Sequence, residues 1–468
     1  MRNMRIHGLC ALVALVLIAT VVHGQVTVLY NFGSKSGDPL QPSYSGIVAQ
    51  GRDGRLYSTS VSGGTASGGT VFKITPTGTL KVLFNSDAAH GASPYGGLTL
   101  GSDGKLYGTA ATGGSGSSGT IFKITSSGTL TVIHNFGGPD GGAPQAPPIQ
   151  GWDGKFYGTT NGVVGAPYGT VYQITAAGTF KNLYSFDVTH GAFPAAPLIQ
   201  GTDGDFYGTT VNGGSGSSDG EVFKITSSGV LTVLFPFDGA HGVSPYGPLI
   251  QASDGNFYGT TFGGGANNFG TVFKMAPDGT TSVIHDFNFS PDGGHPNAGL
   301  VQATDGNFYG TTGYGGTLGF GTVYKLTPGG TYTVLYTFDQ TTGAYPLVTL
   351  TQHTNGTLYG DTQKGGTGPN NCGFGVCSGV FYSLSGGLGP FVSLVTRAAK
   401  VGKTIGILGQ GFTGTTGVSF GGTPAATFKV VSATYLTATV PVGAHSGVVR
   451  VTTPGGTLAS NKNFLVLP

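Results

Sequence analysis

The feature that most constrains this chain is an echo at a step of about fifty residues. An octapeptide of the form Asp-Gly-x-Leu/Phe-Tyr-Gly-Thr-Thr recurs at Asp53, Asp103, Asp153, Asp203, Asp254 and Asp305, with a looser copy at Asn355, so the steps are 50, 50, 50, 51, 51 and 50 residues. Each unit holds four short runs of β-branched and aromatic residues bounded by Gly, Asp, Ser or Pro. In one unit these are Pro197–Gln200, Asp205–Thr210, Glu221–Thr226 and Leu231–Phe237. Four strands per unit predict a β-propeller blade, and seven units predict an all-β, seven-bladed β-propeller. A solenoid is the rival, but it needs atypical caps at both ends. Here Val26–Phe32 matches the fourth run of a unit, while the last unit stops after its third, Gly379–Leu384. The N-terminal strand is therefore expected to supply the missing outer strand and close the ring.

Composition then excludes several partners. The 89 glycines and 25 prolines would suggest disorder, except that they fall at fixed phases of the repeat. Only 9% of the 468 residues are charged, the net charge is +2, and Glu221 is the one glutamate. No basic stripe exists to neutralise phosphates, which argues against nucleic acid or an anionic membrane as partner. Residues 1–24 read as a signal peptide, with Arg2 and Arg5 ahead of an apolar run and Val22-His23-Gly24 as the cleavage site. A mature chain from Gln25 has no second apolar run, so no transmembrane segment is expected, and the protein is expected to be secreted or held at the cell surface. Cys372 and Cys377, in CGFGVC, are expected to form a local disulfide in an oxidising compartment, with two free thiols as the alternative. No further ligands adjoin them for zinc, so no metal site is expected. Two GxGxxG matches, at Gly114 and Gly409, do not open a helix after a strand, and no cofactor is expected.

The motif DG-x-[LF]-YG-TT, followed by a Gly-rich loop, G-[TE]-V-[FY]-K-[ILM] and [TV]-V-[LI]-[FYH]-x-F, resembles the GloVer tandem repeat named for Gloeobacter and Verrucomicrobia. The likeness covers residues 26 to 385. It implies an exported repeat protein and supplies no activity or catalytic residues. After the Gly386–Pro390 linker the period stops. Residues 390–468 resemble the IPT/TIG immunoglobulin-like domain on Gly409-Gln410-Gly411-Phe412, Val418-Ser419-Phe420-Gly421-Gly422 and Val440-Pro441. That resemblance implies a β-sandwich serving as spacer or adhesion unit. The expected organisation is thus a signal peptide over 1–24, a propeller over 25–386 and a sandwich over 390–468.

Candidate site residues come from loop lengths. Turns between the first and second runs, and between the third and fourth, are short. The loops on the opposite face are longer and Gly-rich, so that face is where binding is expected. One of its loops repeats Asp-x-x-His-Gly, pairing Asp87 with His90, Asp187 with His190 and Asp238 with His241, and more loosely Asp292 with His295. These read either as metal ligands or an acid/base pair, or as Asx-type turns with a packed histidine. His134 and His285 occupy a column that is otherwise aromatic and read as structural substitutes. After a recurring proline stand Tyr95, Gln145, Ala195, Tyr246, Asn297 and Leu347. This column is expected near the central mouth, where Tyr95, Tyr246, Gln145 and Asn297 either stack on and hydrogen-bond a sugar or peptide, or plug the channel. The repeated tyrosine (Tyr57 to Tyr359) is expected to wedge between neighbouring sheets. The functional expectation is a non-enzymatic exported protein binding a polysaccharide or a cell-envelope protein. The alternative is a carbohydrate-active hydrolase or lyase at the axis, for which Asp361, standing in place of a threonine, is the exceptional carboxylate.

Overall fold

The structure is a computed structural model that describes residues 25–42, 46–214, 219–367 and 378–468. The expected signal peptide and the Cys372–Cys377 disulfide lie outside the described residues. All regular structure among the described residues is strand, built mainly of repeated four-stranded antiparallel sheets.

The unit at Asp203 shows how the repeat folds. Ile199–Gln200, Phe206–Thr210, Glu221–Ile225 and Leu231–Pro236 pair in sequence order. The inner strand is two residues long, shorter than the expected run, since Pro197 has no amide to give to a ladder. In the turn that follows, Gly201 N–H donates to Asp205 O at 2.9 Å. The outer strand bulges at a fixed place: Val222 faces Phe235 while Phe223 faces Val233, leaving Leu234 unpaired. The glycine that follows the repeated tyrosine in every copy but the first, where Ser58 stands, has a packing cause. A Cβ on Gly208 would stand 2.6 Å from Phe223 Cζ, so the ring on the third strand lies close across a bare stretch of the second.

The repeated tyrosine joins neighbouring sheets, as expected. Tyr107 stacks on Phe156 at 3.8 Å, Tyr157 on Phe206 at 3.9 Å, and Tyr207 lies over Phe257 at 4.2 Å. In the six repeats with an aspartate in the turn the hydroxyl returns to it, Tyr207 donating to Asp203 Oδ2 at 2.6 Å and Tyr258 to Asp254 Oδ2 at 2.9 Å. A second stitch is made by glutamines ending the inner strands: Gln200 Oε1 accepts from Trp152 N–H at 3.0 Å and Gln302 Oε1 from Ser253 N–H at 2.9 Å.

The same stitch closes the ring. Thr354 N–H donates to Gln50 Oε1 at 3.0 Å, and Thr351 Oγ1 to Val48 O at 2.8 Å. Gln25–Asn31 pairs antiparallel with Val380–Ser385, the closure expected from the sequence, and Phe32, Leu56 and Phe72 share a core with Val348, Tyr359 and Phe381. The first repeat carries an added strand, Pro39–Pro42, on Leu56–Gly63.

Beyond residue 390 two four-stranded sheets face one another across one core of Ile405, Ile407, Phe412, Phe420, Leu436 and Val451. This module is seated on the short turns of the ring. Thr434 Oγ1 donates to Arg52 O at 2.8 Å, the Arg52 guanidinium lies 4.5 Å from the Tyr435 ring centroid, and Gln410 Nε2 donates to Thr354 Oγ1 at 2.8 Å. One mouth of the ring is therefore faced by the module and the other is left to the longer loops.

Candidate functional site

The open mouth is built on a strained position. The residue before the recurring proline has a positive φ in each repeat: Gln41 51°, Ser93 54°, Ala143 49°, Phe193 59°, Ser244 54°, His295 53° and Tyr345 57°. None is glycine, and a pre-proline residue ordinarily prefers extended backbone. A hydrogen bond across the repeat boundary fixes the strain: Ser244 N–H donates to Asp219 O at 2.8 Å, His295 N–H to Phe269 O at 2.8 Å and Tyr345 N–H to Phe320 O at 3.0 Å.

In the last two repeats these positions, His295 and Tyr345, join an arc of rings that starts at Tyr246, the residue after Pro245. Tyr246 meets Phe262 edge-on at 5.7 Å, Phe262 meets His295 at 4.7 Å, His295 meets Tyr314 at 5.9 Å and Tyr314 meets Tyr345 at 5.0 Å. The Lys364 ammonium ends the arc, 5.2 Å from the Tyr345 ring centroid. His295 Nδ1 lies 2.8 Å from Phe262 O, and a carbonyl only accepts, so the proton sits on Nδ1 and Nε2 is left as acceptor or proton carrier. The positions of Phe262 and Tyr314 are filled elsewhere by Val61, Ala111, Asn161 and Val211, and by Ser62, Thr112, Gly162 and Asn212. The arc thus occupies one sector of the mouth, and Tyr314 keeps 38% of its surface in solvent.

Of the residues expected from sequence, Tyr246 anchors one end of the arc. Asn297 follows in the same column, half-buried, with its Oδ1 sealed and unpartnered. Tyr95 and Gln145 hold the equivalent half-buried places in the second and third repeats, whereas Ala195 and Leu347 are buried. His90, His190 and His241 do not join this column. Each sets its Nδ1 on its own loop aspartate, at 2.9 Å for Asp87, 3.0 Å for Asp187 and 2.8 Å for Asp238. The rings of His90 and His241 pack edge-on against the outer-strand residues Phe84 and Phe235 at 5.3 Å. The backbone N–H of each histidine, its imidazole and its positive charge hold the paired carboxylate below the usual range.

The looser Asp292–His295 pair does not form. Gly293, at φ 100°, takes the register of Gly242, at φ 115°, which puts Asp292 where His241 stands and His295 where Ser244 stands. Asp292 instead lies 3.4 Å from His285 Nε2. His285 stacks on Tyr332 at 3.9 Å and His134 on Phe180 at 4.0 Å, the packing of an aromatic substitute, and burial lowers both imidazoles despite a carboxylate beside each.

Two carboxylates break the repeat. Glu221 is 0% exposed, both oxygens lack a partner, and burial, with Asp187 adding to it, pushes its pKa up to about 8. Asp361 is 1% exposed and stands where Thr260 and Thr311 donate to Ala298 O and Pro346 O of the next repeat, at 2.8 and 3.0 Å. An ionised carboxylate cannot donate; both Asp361 oxygens are unpartnered, and burial raises its pKa. Among the described residues no three His, Cys, Asp or Glu side chains converge as a metal site.

The Gloeobacter/Verrucomicrobia repeat family matches residues 15–217, 116–288 and 196–420. No curated protein sequence matches the chain. Among solved structures, the extracellular domain assigned to a hybrid two-component system of B. thetaiotaomicron is similar, with a TM-score of 0.50 and 11% identity over 95% of this chain and 58% of that one. A fungal alcohol oxidase of the AA5 family, in complex with copper, gives 0.49 and 17% over 95% and 100%. A gluconolactonase from Xanthomonas campestris gives 0.40 and 14% over 61% and 85%. At such identity the first likeness is one of fold, which is propeller-like.

Proposed function

We propose, from the premise that this chain belongs to the Gloeobacter/Verrucomicrobia repeat family, that it is an exported, non-enzymatic binding protein. On this reading a seven-bladed propeller, zipped by its N-terminal strand and backed by an IPT/TIG-type immunoglobulin-like sandwich, presents its open mouth to a polysaccharide or a cell-envelope glycan.

The observation that carries the reading is the confinement of Tyr246, Phe262, His295, Tyr314 and Tyr345 to one sector of the mouth. A sevenfold scaffold needs no such asymmetry, whereas a sugar chain needs flat apolar faces for its C–H surfaces and a few polar groups to fix it. Lys364 and His295 Nε2 are those polar groups. A hydrolase or lyase at the axis needs two carboxylates flanking a bond. Glu221 and Asp361, the two that depart from the repeat, are sealed at 0% and 1% exposure, which favours binding over turnover.

A glycan array probed with the protein tests this. Binding to at least one polysaccharide class is expected, with the Tyr246→Ala/Tyr345→Ala double variant weakened about tenfold or more at unchanged melting temperature. Undiminished binding in that variant would remove the site, and release of reducing ends from a bound glycan would replace binding by catalysis.

A further inference from the structure

The seam between ring and C-terminal module holds two positive charges that no negative charge answers among the described residues. Arg397 immediately precedes the strand Ala398–Lys400, and Lys462 lies shortly before its parallel partner Leu465–Leu467. Lys462 Nζ donates to Gln251 O and to Gln302 Oε1, both at 3.3 Å. Charge-assisted bonds are usually about 2.7–2.9 Å long. Both acceptors are neutral, and Gln302 Oε1 already takes the Ser253 N–H at 2.9 Å. Arg397 Nε is sealed from solvent with no partner. Burial is what weakens the guanidinium's hold on its proton, and burial with the nearby Arg397 lowers Lys462 to about 8. No carboxylate contributes to either shift.

Two half-buried like charges, long neutral contacts and an orphaned N–H form an arrangement that costs free energy as it stands. A negative group placed between them would reverse that sign, taking the guanidinium's unused donor and the ammonium's remaining proton together. Clefts open beside the seam on two sides. A cleft of about 480 Å³ is lined by Gln302, Phe391 and Asn461, the last adjoining Lys462. Another of about 320 Å³ is lined by Trp152 of the ring and by Thr396 and Ala398, the two residues that flank Arg397 in the chain.

We infer that Arg397 and Lys462 form a binding site for a single oxyanion group, a sulfate, phosphate or carboxylate, at the seam between the ring and the C-terminal module. The site lies on the opposite face from the aromatic mouth and stands or falls independently of it. Its occupant ties the module to the inner strands that supply Gln251 and Gln302, so occupancy tightens the joint between the two parts.

Thermal unfolding in millimolar sodium sulfate, sodium glucuronate or glucose, each against sodium chloride at matched ionic strength, tests the assignment. Wild-type protein is expected to gain at least about 2 °C with an oxyanion and nothing with glucose. Arg397→Gln and Lys462→Met are expected to lose the gain. Lys462→Arg is run beside them to separate lost charge from failed seating of the module, and is expected to keep it. A response to glucuronate but not sulfate would place the group on a sugar, and a response to both would mark a general oxyanion site. No response to either anion, an equal response in Arg397→Gln and Lys462→Met, or loss of the response in Lys462→Arg would overturn the inference.

Discussion

On the turn face of the ring, six repeats set the same aspartate beneath the same tyrosine, from Asp53 with Tyr57 to Asp305 with Tyr309. At the open mouth, the residue before the recurring proline is Gln41, Ser93, Ala143, Phe193, Ser244, His295 or Tyr345, and no two neighbours agree. Both faces are held by hydrogen bonds that cross repeat boundaries, so backbone economy alone does not separate them. The turn face repeats because each boundary poses the same packing problem. The mouth varies because the bond that fixes each strained pre-proline residue uses its own main chain, as in His295 N–H to Phe269 O at 2.8 Å, which leaves that residue's side chain free to differ. Stability should therefore reside in the repeated positions and recognition in the varied ones.

The largest expected effect falls on the turn face. Tyr258 is 0% exposed, lies 4.3 Å from Phe308 of the next repeat and donates to Asp254. Tyr258→Ala should cost about 3–5 kcal/mol in denaturant unfolding, as for other buried aromatics, while whatever ligand the mouth binds is retained. Loss of binding in protein that is still folded would break the division between the faces.

A second test uses a place where a varied residue has entered the core. Four repeats close the mouth end of the second and third strands with paired hydroxyls, Ser60 with Thr70 at 2.8 Å, and Thr160 with Thr170, Thr261 with Thr271 and Thr312 with Thr322, each at 2.9 Å. In the fourth repeat Thr210 faces Glu221 and neither finds a partner. The folded carboxyl, with a pKa near 8 against 4.5 when unfolded, stays protonated where the unfolded chain has ionised. The unfolded state then binds fewer protons, so this group's contribution is fully present below pH 4.5 and is lost as pH rises towards 8. At about 1.4 kcal/mol per unit the loss is on the order of a few kcal/mol. Glu221→Thr should restore the paired hydroxyls, leave stability at pH 4.5 little changed and raise it at pH 8. An unaltered slope between those pH values would show that Glu221 is not the source.

Much of this was legible in the sequence because a repeat reports same-phase neighbours. The strand order, the wedge tyrosines and the closure by Gln25–Asn31 all follow from matching one copy to the next. The arc was not legible, apart from Tyr246 and Asn297. Its other rings come from three further phases of the repeat: before the proline, four residues after the tyrosine and five after it. These meet only when adjacent units are placed side by side. Asp292–His295 failed for a related reason, since matching spacing did not reveal which glycine carries the left-handed turn. The seating of the module on the turns was also out of reach, because nothing in the period of the ring refers to residues beyond 390. A signal for the arc did exist, in the change from Val61, Ala111, Asn161 and Val211 to Phe262, and from Ser62 and Thr112 to Tyr314.

The smallest effect is also the most selective in pH. Burial alone would raise the Asp254 pKa, but the donors Asn256, Tyr258 and Lys274 outweigh it and bring the pKa down to about 2. A depressed carboxylate stabilises the fold above its unfolded pKa near 3.8, and that contribution is lost as pH falls through 2. The side chain is 38% exposed, so solvent screening discounts the shift to about 1 kcal/mol. Asp254→Asn keeps an oxygen for the Tyr258 hydroxyl but gives up the charge that draws Lys274 to 3.2 Å. It should cost about 1 kcal/mol at pH 7 and almost nothing at pH 2, read as the gap between two urea curves at each pH. The same substitution at Asp103 should cost less, because Lys105 Nζ stands off at 3.8 Å. Equal costs at the two positions would mean that the turn face is held by the tyrosine hydrogen bond alone, with the charges idle.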